Sequence, residues 1–403
     1  MIKANSLLYA VYVCLIVSIL CGALLYYSSL YNMLNQYYNS REDLYVQNQS
    51  AFTYALCNGD TENSVVDEDT GIKSDCIVKQ HGLLDVVIVK SSLKNDTIAS
   101  AHFTGPYANN KTAVFLSNFS NDLSYSGNVR LIGDKHMPSK FIEEKFLNNY
   151  QNNLTSIGTI TLSNTGLPEI NPDFNKVFDE SNSKRFLLEN VSRSNDSIYF
   201  NSFLNSTIDI EVSGTTLSNT IIKGNFILHA KDSLIIANTA VLEDVIVKAP
   251  IVKIAKGFKG NLQVFSSKKI EVDENVQLSY PSVLCLNNPS SKESTITINN
   301  NSSVYGAIVL FGSPLMNVDQ NRIILNEKTL LVGDIYCTGE LMLNGKVYGA
   351  VYTNRFFSKT KSSTYENCII NAEIDITKRP NYFISVPLFK DKKELYGAFK
   401  KVL

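Results

Sequence analysis

The hydrophobic pattern begins with a long stretch that carries no charge. No charged residue lies between Lys3 and Arg41, and Leu7–Tyr27 is almost continuously apolar. A helix of about 20 apolar residues crosses a hydrocarbon core of roughly 30 Å. The pattern therefore predicts a transmembrane helix over Leu7–Tyr27. A secretory signal peptide has a shorter apolar core followed by a small-residue cleavage site, so we interpret this segment as an uncleaved anchor.

The helical pattern continues beyond the predicted span. Neither Gly nor Pro occurs between Ala23 and Asn58, so one helix from about Ala4 to Leu56 is expected. Apolar residues there recur at steps of three, four or seven, which places them on one side of the helix. We call this set the aromatic stripe: Tyr27, Tyr31, Leu34, Tyr38, Tyr45, Phe52 and Leu56. The stripe predicts either packing against the chain's own ectodomain or lateral assembly with similar helices.

Short apolar runs after the helix predict β-strands. Gly82–Ser92 and Asp96–Thr104 are expected to form a hairpin, and further strands are expected over residues 113–162. Between about Pro168 and Ser206 the pattern loosens, which predicts a polar connector or a lid.

The second half of the chain contains an internal repeat of about 18 residues. Its first track comprises Phe226–Leu228, Val245–Val247 and Leu262–Val264, and two further tracks repeat in step with it. Three tracks per repeat predict a triangular coil with about six residues per side, which is typical of a β-solenoid. Corners that tolerate positive φ are expected at Asn299–Asn301, at Asn344-Gly345 and at Gly312 or Gly333. The alternative is an antiparallel meander with similar spacing.

These patterns predict a mainly β protein with one long N-terminal α-helix. The expected domains are a transmembrane and amphipathic helix (1–57), a small β-rich domain with loops (58–206), a C-terminal three-sided β-solenoid (207–378) and a C-terminal cap (379–403). The cap is predicted because Lys390–Leu403 combines apolar residues with charges, and open solenoid ends need cover against edge-to-edge growth.

Composition and charge add two expectations. A hydrophobic fraction of 44% can fill a core, and a net charge of -1 shows no electrostatic footprint for nucleic acid. Only Lys3 and the terminal amine precede the span, which favours a cytoplasmic N-terminus and places about 375 residues outside the cytoplasm.

The seven cysteines fall into three groups. Cys57 and Cys76 bracket an acidic segment, and the hypotheses of a disulfide and of two free thiols remain equally open. Cys14 and Cys21 lie within the span. The remaining cysteines lie in apolar strand contexts and are expected to be buried free thiols: Cys285, Cys337 and Cys368. No Cys or His spacing indicates a metal site.

Signals for catalysis are absent from the sequence. The histidines have no partner at ligand or triad spacing: His81, His102, His136 and His229. No nucleophile elbow, phosphate loop or dinucleotide motif occurs, so we expect neither enzymatic activity nor a cofactor. The run Asp67–Gly71 is consistent with a solvated loop or a weak calcium loop. The charged residues of the repeat form no evident acidic pair: Asp232, Glu243, Asp244, Lys248, Lys253, Glu271 and Asp273.

Two parts of the chain resemble known families. Residues 3–56 resemble the long N-terminal helix of minor pilins and pseudopilins of type IV pilus and type II secretion systems. The resemblance rests on the apolar span Leu7–Tyr27 and on the helical continuation that ends with Ala51–Leu56. In that family the apolar half anchors the subunit in the inner membrane, and the amphipathic half packs on a periplasmic β-rich head. Residues 207–377 resemble bactofilin-type and other adhesin-like β-solenoids in coil length and in Gly and Asn corners.

The resulting hypothesis is a structural, non-enzymatic, single-pass protein of the bacterial inner membrane. Its C-terminal part is expected in the periplasm or outside the cell, and its role is that of a minor subunit or accessory of a pilus-like or secretion assembly. The implied partners are the membrane, pilin-like or secretion-assembly proteins and other copies of the chain. The alternative is a membrane-tethered protein that binds or cleaves carbohydrate on the solenoid face.

Overall fold

The computed structural model describes residues 4–58, 62–108, 111–147, 150–179, 184–191, 198–288, 293–312, 320–360, 363–381, 383–389 and 396–402. Over these residues the protein is mainly β with one long N-terminal helix, which confirms the predicted class at this level. Helix α1 covers Ala4–Asn58, and helix α2 covers Asp173–Lys176. Short 3-10 helices lie at Leu188–Asn190 and Ile376–Lys378.

The strands form three sheets. A five-stranded sheet contains β1 Glu62–Val66, β2 Lys73–His81, β3 Leu84–Leu93, β4 Asp96–Pro106 and β33 Tyr396–Val402. A three-stranded sheet contains β6 Ser124–Ser126, β9 Glu143–Glu144 and β31 Cys368–Ile370. The large sheet contains β5 Thr112–Leu116, β7 Asn128–Ile132, β8 Asp134–Met137, β10 Asn153–Ile157, β11 Ile160–Leu162, β12 Phe186–Leu187, β13 Ile198–Asn201, β14 Ile208–Glu211, β15 Thr216–Leu217, β16 Ile221–Gly224, β17 Phe226–His229, β18 Ser233–Ile236, β19 Val241–Lys248, β20 Ile251–Ile254, β21 Lys259–Ser266, β22 Lys269–Val272, β23 Gln277–Asn288, β24 Ser294–Ile298, β25 Ser303–Gly312, β26 Asn321–Leu325, β27 Leu330–Leu343, β28 Lys346–Tyr348, β29 Val351–Lys359, β30 Thr364–Glu366 and β32 Glu373–Asp375.

The chain forms two compact units. The first comprises Met1–Ile77 and Ile88–Ser100, and the second comprises Val78–Val87 and Ala101–Leu403. In the first unit β1 pairs with β2 in antiparallel register. In the second unit β33 pairs with the end of β4, also antiparallel. The described part of the predicted cap segment therefore includes an edge strand, while residues 390–395 lie outside the described residues.

The repeat forms parallel pairings in which each strand lies beside its equivalent one repeat later. One in-register row of fully buried residues runs through Ile210, Leu228, Val247, Val264, Leu284, Ile308, Ile335, Val351 and Val114. Burial of such rows accounts for the short apolar tracks of the sequence, because every repeat contributes one residue to each row. An antiparallel meander does not describe these pairings.

Strands from the first half of the chain extend this sheet. Strand β5 pairs in parallel with β29, and β7 pairs with β32. Beyond them, β8 pairs with β11, and β7 pairs with β10. The boundary predicted at residues 206–207 therefore separates strands that share one sheet.

The connector between β11 and β12 lies along the outer face of the large sheet. The Tyr336 hydroxyl donates to the Pro168 carbonyl at 3.0 Å, and the buried ring of Phe174 packs edge-on against Phe311. Further along, the Phe178 ring packs against Phe265. The sequence predicts this segment as a polar connector or a lid. In the structure its described residues contact aromatic side chains on β21, β25 and β27.

Candidate assembly surface on the N-terminal helix

The last turns of α1 bury one face in the first unit. Leu44 is fully buried, and Ala51, Phe52 and Ala55 are buried beside it. Leu44, Ala51 and Ala55 follow steps of seven and four, so they lie on one side of the helix, and Phe52 lies at the edge of this face. This face fixes the C-terminal end of α1 to the β-rich part of its own unit.

Asn48 lies at the centre of the buried face and is 1% exposed. Its amide nitrogen donates to the Val89 carbonyl at 3.2 Å and to the Ser91 hydroxyl at 3.3 Å. Its amide oxygen accepts a hydrogen bond from the Ser100 hydroxyl at 2.7 Å. Buried polar groups are costly unless they are hydrogen-bonded, and Asn48 meets this requirement through β3 and β4. The amide therefore connects the helix with two strands.

The N-terminal part of α1 is exposed along its described length from Leu7 to Tyr38. It is the helix that has the length and the apolar composition needed to cross a membrane. At 1.5 Å per residue, the predicted span is about 31 Å long and the exposed part is about 48 Å long. Three or so turns of apolar and aromatic surface therefore lie beyond a hydrocarbon core of roughly 30 Å.

The aromatic stripe is only partly buried. Tyr27, Tyr31, Leu34, Tyr38 and Tyr45 are exposed, Leu56 is half-buried, and Phe52 is buried. At 3.6 residues per turn, the stripe lies about a quarter turn away from the buried face around Asn48. The two surfaces share Phe52, so packing in the first unit leaves the tyrosines accessible.

Sequence reasoning did not find Leu44 and Asn48. Leu44, Asn48, Ala51 and Ala55 follow helical spacing, but a polar Asn and two small alanines contribute little to a hydrophobic pattern. The large aromatic residues a quarter turn away gave the stronger signal. Near the end of the exposed part, the Arg41 guanidinium donates to the Tyr37 hydroxyl at 2.9 Å.

Cys57 and Cys76 are not bonded to each other in the structure. A disulfide between them stays a prediction. Cys57 is exposed, whereas Cys76 is 1% exposed and its thiol donates to the Ala51 carbonyl at 3.6 Å. Burial raises the pKa of the Cys76 thiol, and the charge of Asp75 raises it further. Cys285, Cys337 and Cys368 are buried free thiols.

Alkylation of the folded protein is expected to modify Cys57 and to leave Cys76 unmodified, because the thiolate is the reactive form and needs access. Denaturation without reductant should then expose Cys76 to the reagent. Mass spectrometry of the peptides that carry each cysteine measures both reactions. If neither cysteine reacts after denaturation until a reductant is added, the two are joined by a disulfide.

The other residues considered from the sequence lie apart from the helix. His81 is buried and donates from Nε2 to the Asp244 carbonyl, and burial lowers its pKa to about 4. His229 is hydrogen-bonded to Asp209, and His136 Nδ1 is hydrogen-bonded to the Thr161 hydroxyl. His102 is half-buried. Among the described residues, no group of three or more His, Cys, Asp or Glu side chains is arranged to hold a metal ion.

Several charged residues of the repeat form ion pairs within one strand, between strands or with Lys400 of β33. Lys253 and Lys269 both contact Glu271, and Lys400 contacts Glu243 and Asp244. In the acidic loop, the Asp67 carboxylate accepts from the Asp69 amide and from the Thr70 hydroxyl. These carboxylates are occupied by protein donors, which is the geometry of structural ion pairs and turns.

No family model, curated protein or solved structure matches this chain. The function is therefore inferred from the helix and the sheets themselves.

Proposed function

We propose that this protein is a structural, single-pass subunit or accessory of a pilus-like or type II secretion-like assembly in a bacterial envelope. Leu7–Tyr27 of α1 anchors it in the inner membrane, with the N-terminus in the cytoplasm and the β-rich units in the periplasm or outside the cell. The exposed aromatic stripe provides the contact between subunits. Its partners are pilin-like or secretion-assembly proteins, including other copies of this chain.

The observation that carries this proposal is the exposure of the helix beyond its predicted span. Tyr31 is 56% exposed and Tyr38 is 61% exposed, although both rings are large and partly apolar. A contiguous exposed surface of this kind is typical of a protein interaction site, and tyrosine suits interfaces because its ring is apolar and its hydroxyl is polar. Asn48 and Leu44 hold the same helix in its own unit, so the stripe is presented on a fixed support.

The proposal includes a β-solenoid with three short strands per coil. Support comes from the parallel, in-register rows, whose successive members are separated by roughly 20 residues of chain. In this role the face of the stacked strands is a contact surface.

Replacing Tyr31 and Tyr38 by serine tests the assembly role. Crosslinking between subunits in native membranes is expected to fall severalfold, because the two exposed tyrosine rings of the stripe just beyond the predicted span are removed. The ectodomain should stay folded, since neither residue contributes to the buried face of α1. Crosslinked species are quantified by electrophoresis, and the proteins in them are identified by mass spectrometry.

The matched control replaces Met33 and Gln36 by serine on the opposite side of the same helix. Both positions are exposed, so this variant also removes two exposed side chains from the helix but leaves the stripe intact. The assembly role is rejected if both variants crosslink like the unmodified protein, or if the chain is recovered from membranes without any pilin-like or secretion protein and without a second copy of itself.

A further inference from the structure

A polar groove crosses adjacent parallel strands of the large sheet. Leu330 of β27, Lys346 of β28, Glu373 of β32, Arg130 of β7 and Thr155 of β10 are in register with one another. Neighbouring strands lie about 4.8 Å apart, so this row of five positions is about 19 Å long. A groove of about 850 Å³ lies over the last four of these positions.

A second set of residues lies two positions earlier in the sequence. Lys328, Asn344 and Asn371 lie in the turns before β27, β28 and β32, Asn128 and Asn153 begin β7 and β10, and all five line the groove. Residues i and i+2 of a strand lie on the same side, which places Asn128 beside Arg130 and Asn153 beside Thr155. The groove therefore presents an amide at every step of the strand spacing over four strands.

These amides are accessible for a ligand to different extents. Asn128, Asn153 and Asn371 are exposed and Asn344 is half-exposed, and the Asn371 side-chain oxygen accepts from the Asn128 backbone amide at 2.9 Å. An asparagine side chain supplies two donors and one acceptor, which matches the mixed donor and acceptor character of sugar hydroxyl groups. Tyr150, 40% exposed at the wall of the groove, adds an aromatic surface for the apolar face of a sugar ring.

The charge of the groove is positive. Four cations line it, Arg130, Lys328, Lys346 and Lys359, against two carboxylates. Ion pairs within the described residues occupy Arg130 and Lys346 with Glu373, and Arg130 also contacts Asp375 at 3.3 Å. These ion pairs do not include Lys328 or Lys359, which are both exposed.

Lys328 has an unusual backbone for its residue type. Its φ is +58°, in the left-handed region that other bends of the sheet fill with asparagine or glycine, such as Asn301, Asn371 and Gly127. A lysine at such a position is disfavoured by its Cβ, and residues held in sparsely populated backbone conformations cluster at functional sites. Within the described part of the chain no ion pair neutralises Lys328, which lies at one end of the groove.

We infer that this groove binds a linear acidic polysaccharide whose sugar residues carry carboxylates. The chain lies across the strands, its hydroxyl groups meet the amide row, and its carboxylates meet Lys328 and Lys359. The repeat of about 4.8 Å between strands is similar to the advance of one pyranose along an extended chain, so successive sugars meet equivalent positions. This binding activity is independent of assembly through the helix.

Nucleic acid fits the groove less well. Sites for nucleic acid carry basic side chains along their whole length, and single strands stack on several aromatic rings. Here Glu327 and Glu373 lie within the groove and Tyr150 is its aromatic wall residue. A groove in which carboxylates alternate with cations suits a ligand whose negative charges are separated by neutral hydroxyl groups.

Binding of a short oligogalacturonate to the full chain in detergent micelles tests this inference. The fully methyl-esterified form of the same oligosaccharide is the matched ligand, because it keeps the shape and the hydroxyl groups but loses the charge. We expect saturable binding of the acid and binding of the ester that is weaker by about tenfold or more. Binding of the acid should weaken further with added salt.

The variant Lys328→Ala/Lys359→Ala should lower the affinity for the acid by about tenfold and leave that for the ester unchanged. Lys259→Ala/Lys268→Ala is the matched control, since these exposed lysines lie outside the groove. Tyr150→Ala should weaken both ligands. The inference is overturned if the unmodified protein does not bind the acid, if acid and ester bind equally, if the control variant loses as much affinity, or if single-stranded DNA binds more tightly.

Discussion

Replacement of Gly333 by alanine is expected to destabilise the large sheet by at least about 3 kcal/mol. Gly333 has a φ of +135°, a conformation that residues with a Cβ rarely adopt. A Cβ at this position would lie 1.7 Å from the Gly306 carbonyl oxygen of the neighbouring strand. That oxygen belongs to the backbone, so the clash cannot be relieved by a rotamer change.

The neighbouring strand offers no room for adjustment. Gly306 is in register with Gly333 and has a φ of +145°, and a Cβ on Gly306 would lie 1.8 Å from the Ser282 carbonyl oxygen. The close approach therefore continues over three adjacent strands. A shift that relieved one contact would tighten the next, so the cost of the substitution combines backbone strain with overpacking.

Thermal unfolding of the full chain in detergent, followed by the β-sheet signal of circular dichroism, measures the effect. Gly166→Ala is the matched control, because Gly166 has no atom within 4 Å of an added Cβ and no positive φ. The control should unfold within about 0.5 kcal/mol of the unmodified protein. An unchanged midpoint for Gly333→Ala would show that the strands do not approach as closely as described.

Replacement of Asn48 by leucine is expected to release the end of α1 from its unit at a cost of about 2 to 3 kcal/mol. Leucine has a similar size, but it cannot accept from the Ser100 hydroxyl or donate to the Val89 carbonyl. Both groups lie against the buried face of the helix, where Ser100 is 4% exposed. Loss of one partner leaves buried polar groups unsatisfied, which costs more than the hydrogen bonds contribute when formed.

Hydrogen exchange of the amides in β3 and β4 reports this release, because loss of the helix exposes the strands to solvent more often. Faster exchange is expected over residues 88–100, with little change in β21 or β23 of the second unit. Ser50→Ala serves as the control, since Ser50 is exposed on the same helix and its hydroxyl donates only to the Val46 carbonyl within the described residues. Equal exchange in Asn48→Leu and in the control would contradict the role given to Asn48.

A released helix would also affect the proposed assembly. The stripe is presented by a helix whose far end is fixed by Leu44 and Asn48, so its orientation depends on that buried face. If Asn48→Leu weakens crosslinking although the stripe itself is intact, the result would support a role of the buried face of α1 in orienting the stripe. The Tyr31 and Tyr38 variant and the Asn48 variant therefore separate the contact surface from the element that positions it.

Features that depend on local pattern follow from the amino-acid sequence. The uncharged apolar run Leu7–Tyr27 predicts one helix, and the lack of Gly and Pro up to Asn58 predicts its continuation. Short apolar tracks at an interval of about 18 residues predicted repeated short strands. Of the positions expected as corners with positive φ, Asn301 and Gly333 adopt it, whereas these residues do not: Asn299, Asn300, Gly312, Asn344 and Gly345. These properties follow from the residues within a few turns or strands, so no knowledge of distant partners is needed.

The tertiary structure alone decided which distant segments meet. The pairing of β5 and β7 with β29 and β32 joins parts of the chain that are more than 200 residues apart, and no periodicity within either part indicates the other. The same pairing brings Arg130 beside Lys346 and Glu373 and so creates the groove. On α1, Leu44 and Asn48 are buried, whereas the larger tyrosines of the stripe are exposed. Asn48 can be buried because its amide is hydrogen-bonded to β3 and β4, and a hydrophobic pattern cannot detect such an amide.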